Sequence, residues 1–183
     1  MLALEINPIV KLQPLDHIHI GPLLELIDQN RDFLQKNLSW LEAQTRREDV
    51  AHFISHYQKL MSSKRGIMFG IFHKKMLIGN IGLFDIDPHN KNGQISIWIS
   101  QEYQNQGIAE NAMQQVIKFA FMDWKLNRLE IRCKADNEPT AKLASKLGFN
   151  LEGKLRQSEW YYDHFEDLVV FGLLGHEVRA KRA

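Results

Sequence analysis

The run Trp98-Ile99-Ser100-Gln101-Glu102-Tyr103-Gln104-Asn105-Gln106-Gly107-Ile108-Ala109 has the clearest chemical potential in the chain. It reads as a strand, a short polar loop, a glycine and a helix. The first turn of a helix leaves its N–H groups without intrahelical acceptors and carries the positive end of the helix dipole, so it can receive a phosphate. Gly107 and the small Ala109 let an anion come close to the backbone. No lysine follows as in a P-loop, and the glycine spacing does not match the dinucleotide fingerprint. What remains is a loop able to hold a pyrophosphate through backbone amides alone. By itself, a strand-to-helix turn with one glycine is common.

Other groups carry less. Cys133 falls mid-strand in Leu129-Glu130-Ile131-Arg132-Cys133, where a buried structural thiol is the simpler reading than a nucleophile. His52 and His56 are four apart on a predicted helix and share a face. Neither a catalytic Glu between them in metalloprotease register nor a third ligand accompanies them, so no metal site is expected. Glu102 and Glu110 flank the glycine, and Glu110 suits the first turn of a helix.

These residues need a scaffold, and hydrophobic periodicity supplies its outline. Residues 10–15 read as a strand. Asp16 can cap a helix running to about Asn30, with Leu23, Leu24, Leu26 and Ile27 on its apolar side. Thr45 and Glu48 have capping-box spacing and open a second helix to about Ser62, along which Val50, Phe53, Ile54, Tyr57, Leu60 and Met61 recur at helical intervals. Strands follow at 66–72, 76–85 and 93–100, the first two joined across His73-Lys74-Lys75 and the last preceded by a turn from Asp87 to Gly93. Residues 107–124 read as a helix with Ile108, Ala112, Val116 and Ala120 in one row. A strand at 128–134 precedes a helix at 139–147, begun by Pro139 and stopped by Gly148. Strands at 151–161 and 167–174 close the chain. The order βααβββαβαββ predicts an α+β fold, a mixed central β-sheet flanked by helices. Without repeats or linkers, residues 1–183 read as one domain.

Beyond the glycine loop stands Ala135-Asp136-Asn137-Glu138-Pro139-Thr140-Ala141-Lys142-Leu143-Ala144-Ser145-Lys146-Leu147-Gly148-Phe149. Gln104-x-x-Gly107-x-Ala109, followed by Asn137-x-x-Thr140 and Lys146-x-Gly148-Phe149, resembles the acetyl-CoA signature of the GNAT superfamily of N-acetyltransferases. The resemblance continues through Glu152-Gly153-Lys154-Leu155 and Asp167-Leu168-Val169-Val170-Phe171, from residue 10 to residue 175. It is strongest to the RimL-type enzymes, which acetylate the N-terminus of a ribosomal protein. The resemblance implies the GNAT fold and acetyl-CoA as cofactor. It implies that the pantetheine arm pairs with the strand ending in Trp98, Ile99 and Ser100. The pyrophosphate would lie on the amides of Gln104, Asn105, Gln106, Gly107, Ile108 and Ala109. That strand and the one at 128–134 would splay at a bulge, and the thioester would enter the wedge. Asn137 would bond the cofactor arm or an ordered water. Lys142 would reach the phosphate side or else be a solvated helix lysine.

Acetyl transfer to an amine needs a neutral amine, a stabilised oxyanion, and a proton or hydrogen bond for the departing thiolate. Many GNAT enzymes place a tyrosine seven residues after the asparagine, where this chain has Ala144. RimL-type enzymes look to a hydroxyl three residues after it, here Thr140. Positions 140 and 144 share a helix face, so Thr140 can approach the same sulfur, its plain alternative being support of the helix start. The same resemblance offers Glu159, in Gln157-Ser158-Glu159-Trp160-Tyr161, as the base for the amine, against a surface carboxylate. At pH 7 an α-amine of pKa about 8 costs ~1.4 kcal/mol to neutralise and a lysine of pKa about 10.4 costs ~4.6 kcal/mol, so an α-amine asks less of Glu159. Residues 31–45 are expected to help shape the acceptor pocket. Phe33, Trp40, Trp160, Tyr161 and Tyr162 can line that groove, join the core or form a homodimer contact.

Lys+Arg total 23 and Asp+Glu 22 for a formal charge of +1, which gives no reason to expect nucleic acid or an acidic membrane as partner. Arg179, Lys181 and Arg182 read as a solvated end. No apolar run approaches transmembrane length, and residues 1–10 lack the features of a signal peptide. One cysteine leaves no internal disulfide and favours a reducing compartment, so a cytoplasmic protein is expected. For the acceptor, a ribosomal-protein N-terminus leads. A small-molecule amine or polyamine, and a non-catalytic acyl-CoA-binding regulatory module, stay open.

Overall fold

Branched and aromatic residues concentrate where both faces of a pleated sheet can be covered, and here they build one mixed sheet. In a computed structural model that describes residues 2–41 and 45–180, its strands are β1 (Leu4–Asn7), β2 (Val10–Pro14), β3 (Ile67–His73), β4 (Met76–Asp87), β5 (Asn92–Ile99), β6 (Arg128–Lys134), β7 (Asn150–Tyr161) and β8 (His164–Leu174). Their spatial order is β1-β2-β3-β4-β5-β6-β8-β7. Only the β5–β6 pair is parallel among the described strands. The helices are α1 (Ile20–Gln29), α2 (Arg31–Leu34), α3 (Arg47–Ser62), α4 (Ile108–Met122), α5 (Glu138–Leu147) and α6 (Gly175–Ala180).

Successive strand residues point to opposite faces, and the sheet therefore carries two cores. Phe69, Ile78, Ile81, Ile95 and Ile99 pack with Ala112, Val116 and Ala120 of α4, the row expected from its spacing. Met68, Leu77 and Trp98 face the other way, onto Leu23 and Ile27 of α1 and Val50 and Ile54 of α3. The flanked mixed sheet is thus the architecture the sequence led us to expect.

Several details differ. Strand β1 was not foreseen; it folds back on β2 because Asn7 Oδ1 accepts from the N–H groups of Ile9 and Val10, both at 2.9 Å, and so makes the turn. The short α2 and α6 were also missed. Helix α3 does not start from a Thr45–Glu48 box. It starts one residue later, where the Asp49 carboxylate accepts from the Arg46 N–H (2.8 Å), while Thr45 Oγ1 accepts from Arg31 Nη1 (3.3 Å). After Asp16 a single 3-10 turn, His17–His19, precedes α1. The two-residue turn Lys74–Lys75, with φ of 47° and 76°, joins β3 to β4, as hairpins of this length require. Of the residues discussed above, Lys181 and Arg182 lie outside the described residues, as do positions 42–44 of the acceptor segment.

Candidate active site

Strand β5 ends against a loop tied down by its own glutamines. Gln104 Nε2 donates to the Ile99 carbonyl (2.8 Å) and Gln106 Nε2 to the Glu102 carbonyl (3.0 Å). The Asn30 side chain accepts from the Gln101 N–H (2.9 Å), linking the loop to α1. Asn105 and Gly107 both take positive φ, 59° and 73°. Gly107 is the N-cap of α4, and no side chain caps that helix. A Cβ built on Gly107 would meet nothing closer than Asn111 Nδ2 at 4.0 Å, so the approach to the first-turn amides is open. The sequence expected an anion-receptive helix start here, and the geometry has its parts.

Beside this loop the parallel pair opens. Strands β5 and β6 pair only from Asn92↔Arg128 to Gln94↔Glu130, leaving Ile95–Ile99 and Ile131–Lys134 unpaired with each other. The expected splay is present, but the bulge lies elsewhere. Between the pairs Phe84↔Gln94 and Asp87↔Asn92, two β4 residues, Asp85 and Ile86, oppose the single β5 residue Gly93, and Asp85 has φ 49°. The Ser100 N–H donates to the Ile78 carbonyl (2.8 Å), so alternation turns the N–H and C=O of Ile97 and Ile99 toward the opening. Trp98, expected to offer its backbone to the arm, instead faces β4: a Cβ on Gly79 would lie 2.3 Å from the Trp98 carbonyl oxygen. That contact is why position 79 must be glycine.

At the far end of β6 stand Asn137 and Thr140. Asn137 Oδ1 accepts from the Thr140 N–H (3.2 Å) and caps α5, so the helix start rests on Asn137. The Thr140 hydroxyl makes no hydrogen bond among the described residues, and the half-buried side chain lies one turn before the fully buried Ala144. Lys142 is not brought to the loop: it pairs with Glu138 at 2.9 Å, both largely exposed. Lys146, which the sequence offered only as a motif letter, is the lysine that bridges to α4, pairing with Glu110 at 2.5 Å. Cys133 is buried, and burial with the nearby Asp136 charge pushes its thiol up to about 11. It is therefore a protonated core residue near neutral pH, in line with the structural reading.

Glu159 reaches the same region by a detour. Two extra residues of β7 between Leu155 and Glu159 bulge out, with Gln157 at φ 48° and its N–H on Asp167 Oδ1 (2.8 Å). Such a bulge bends the strand, and the bent hairpin meets the chain between α2 and α3. There Ser39 Oγ donates to Glu159 Oε1. The Tyr162 hydroxyl bonds the carbonyls of Leu38 (2.7 Å) and Leu41 (3.1 Å). Glu159 pairs in register with Glu166, whose carboxyl Lys134 (2.9 Å) and His164 (3.0 Å) hold below the usual range. Ser39 was invisible to sequence reasoning, since 120 residues separate it from the group it holds.

Next to Ser39, Trp40 lines a cavity of about 300 Å³ between α1, α3 and β4. Leu23, Ile27, Val50 and Phe53 supply apolar wall, Arg46 and Asp49 a charged rim, and Asn80 a polar group. Arg46 holds the exposed Asp49 carboxyl below its usual range through hydrogen bonds from its N–H and guanidinium. The expected aromatic set is thereby divided. Trp40 belongs to the cavity, Phe33 packs on the α1–α3 core, and Tyr161 is buried beneath Lys134, whose Nζ is 4.7 Å from its ring centroid. Trp160 stacks edge-on with Phe165 in the open, and Tyr162 holds the loop. His52 and His56 lie on α3, where His56 packs on Tyr57. Among the described residues no group of three or more His, Cys, Asp or Glu is placed to hold a metal. No described helix is long and apolar enough to cross a membrane.

An uncapped helix start, a glycine with open space before it and a free backbone edge in a splayed parallel pair fit an elongated phosphate-bearing thioester, and together they define an acyl-CoA-dependent transferase. A family model described as "Acetyltransferase (GNAT) domain" matches residues 10–150, and the chain belongs to that family. It is an acetyl-CoA-dependent N-acetyltransferase, transferring acetyl to an amine. It is 31% identical over 169 residues to the ribosomal-protein-serine acetyltransferase of Escherichia coli (strain K12), covering 92% of this chain and 94% of that one. Its fold superposes with a TM-score of 0.90 on a RimL ribosomal L7/L12 α-N-protein acetyltransferase in complex with coenzyme A, at 24% identity and covering 94% and 98% of the two chains. A TM-score of 0.86 relates it to the microcin C7 self-immunity acetyltransferase MccE in complex with acetyl-CoA and AMP, at 25% identity over 92% and 94%.

Proposed function

We propose that the acceptor is the N-terminal α-amine of a protein, a ribosomal protein in the first instance. The observation that carries this reading is the fixing of Glu159 by Ser39, the residue before the cavity-lining Trp40, joined to similarity over most of the chain to a ribosomal-protein-serine acetyltransferase. The amides of Gln104 to Ala109 hold the donor's pyrophosphate, with Gly107 keeping their approach clear. The backbone groups of Ile97 and Ile99 bond its arm as a further strand would. Asn137 keeps the α5 start in place, and the Thr140 hydroxyl donates a hydrogen bond to the thiolate as it leaves. Glu159, with one carboxylate oxygen occupied by Ser39, receives the amine proton through the other, directly or through water. The exposed pairing of Lys142 with Glu138 supports a solvated role for Lys142. A single free, buried cysteine supports a cytoplasmic setting. Exposed Leu151, Leu155, Trp160 and Phe165 support a homodimer contact on the β7–β8 hairpin.

The test is thiol release from acetyl-CoA against free N-terminal peptides, the same peptides blocked at the α-amine but carrying lysine, polyamines and small amines. Release is expected with the free N-terminal peptides and not with the blocked ones. Turnover confined to polyamines or small amines, or no acceptor-dependent release at all, overturns the reading.

A further inference from the structure

Acetyl transfer to an amine puts negative charge on the thioester oxygen, and the groups proposed above for the amine and the sulfur leave that oxygen without a side-chain donor. Among the described residues, the indole Nε1 of Trp98 is the one buried side-chain nitrogen or oxygen that lacks a hydrogen-bond partner. Trp98 is 9% exposed and packs in the core that holds Leu23, Ile27 and Leu77. An indole nitrogen only donates. Buried polar groups are almost always paired, and a donor left unpaired opposes folding. An acceptor oxygen brought by a ligand would complete the bonding.

The place of Trp98 in the sheet says which oxygen. It lies between Ile97 and Ile99, whose backbone groups face the splay, in the part of β5 that does not pair with β6. On its other side the cross-strand partner is Asn80, which lines the cavity. Trp98 therefore stands between the cavity and the splay, on the α1–α3 face. Across the gap Cys133 packs in the α4 core, so the adjacent Lys134 faces the same way as Trp98. Lys134 lies over the Tyr161 ring and pairs with Glu166, the cross-strand partner of Glu159. The unpaired N–H and the Glu159 carboxylate thus share one face of the sheet, on opposite sides of the gap.

We infer that Trp98 is a further catalytic residue: its indole N–H donates a hydrogen bond to the thioester oxygen as that oxygen becomes an anion. The amine lone pair forms the N–C bond while the C=O π pair moves onto oxygen. That pair then re-forms C=O, the C–S bond breaks, and the thiolate leaves with the bonding electrons. The indole gives up no proton in either step. Held by packing and free of a competing partner, the donor needs no reorientation, and burial strengthens its bond to an anion. The inference rests on the donor placement proposed above, with the thioester in the splay, and not on which amine accepts.

The test removes the N–H and keeps a ring, with Trp98→Phe and with β-benzothienylalanine in place of Trp98, a near-isostere that carries sulfur where the N–H stands. For every acceptor that the wild type uses, kcat should fall by about 10²-fold with KM unchanged. Calorimetry with S-methylphosphonyl-coenzyme A, whose tetrahedral phosphorus bears an anionic oxygen, gives a readout that needs no acceptor. Both variants should bind it at least about tenfold more weakly than the wild type, while acetyl-CoA affinity holds. The isostere loses only an unpaired donor, so without ligand it should melt at or above the wild-type temperature, and it carries the test if the Phe variant fails to fold. Equal affinity of wild type and isostere for the phosphonyl analogue overturns the inference, as does a loss seen in acceptor KM and not in kcat. Unchanged acetyl-CoA affinity in Gly107→Val overturns the donor placement itself, and this inference with it.

Discussion

On the donor side of β5, the recognition proposed above rests on backbone: the amides ahead of α4, the strand edge at Ile97 and Ile99, and a glycine at φ 73°. On the acceptor side the proposed recognition rests on side chains, Glu159, Ser39 and Trp40, carried by elements far apart in the chain. Backbone recognition tolerates many sequences but demands particular dihedrals, so it leaves short local signatures. Side-chain recognition can be rewritten one residue at a time, and different acceptors can be served by one donor site.

The largest expected effect tests the acceptor half. Glu159→Gln keeps the shape but removes the proposed base, and kcat/KM on an N-terminal peptide should fall by roughly 10²–10⁴. The deficit should shrink as pH rises, because the neutral fraction of an α-amine with pKa about 8 grows on its own. A pH–rate profile parallel to that of the wild type would remove Glu159 from the proton path. Acetyl-CoA binding should not change, and a loss of it would erase the division between the halves.

Gly107→Val tests the donor half. A branched residue at φ 73° is strained, and its side chain would occupy the open approach to the α4 amides, so acetyl-CoA affinity should drop at least about tenfold. Calorimetry on the folded variant reads this directly, and unchanged affinity would move the pyrophosphate elsewhere.

The smallest effect belongs to the junction. Thr140→Ala should lower kcat by about tenfold with little change in acetyl-CoA affinity, because the hydroxyl matters mainly as the thiolate forms. Thr140→Ser should keep most of the rate. The helix itself should tolerate both changes, since Asn137 caps α5 through the position-140 backbone N–H. Equal turnover by the Ala and Ser variants would leave Thr140 no chemical part.

Most of the strands, the long helices and the donor loop were legible in the sequence, because period-two and helical patterning, turn residues and the Gly107 signature are all local. The Asn137–Thr140 pair was legible as a motif, although which of the two supports the helix was not. The sequence offered Lys142, and not Lys146, for the phosphate side, and only folding showed that Lys142 pairs with Glu138 within α5 while Lys146 reaches Glu110 of α4. The insertion of β8 between β6 and β7 decided the far end of the sheet, since a strand following a hairpin turn can pair on either side. The bulge that bends β7, the Ser39–Glu159 bond across 120 residues and the face on which Asn80 lies were likewise settled by folding alone. The physical reason is one of range. Dihedral preference and amphipathic period act over a few residues and are written where they act, whereas a side-chain contact between distant segments exists only once both segments have been packed against a common sheet.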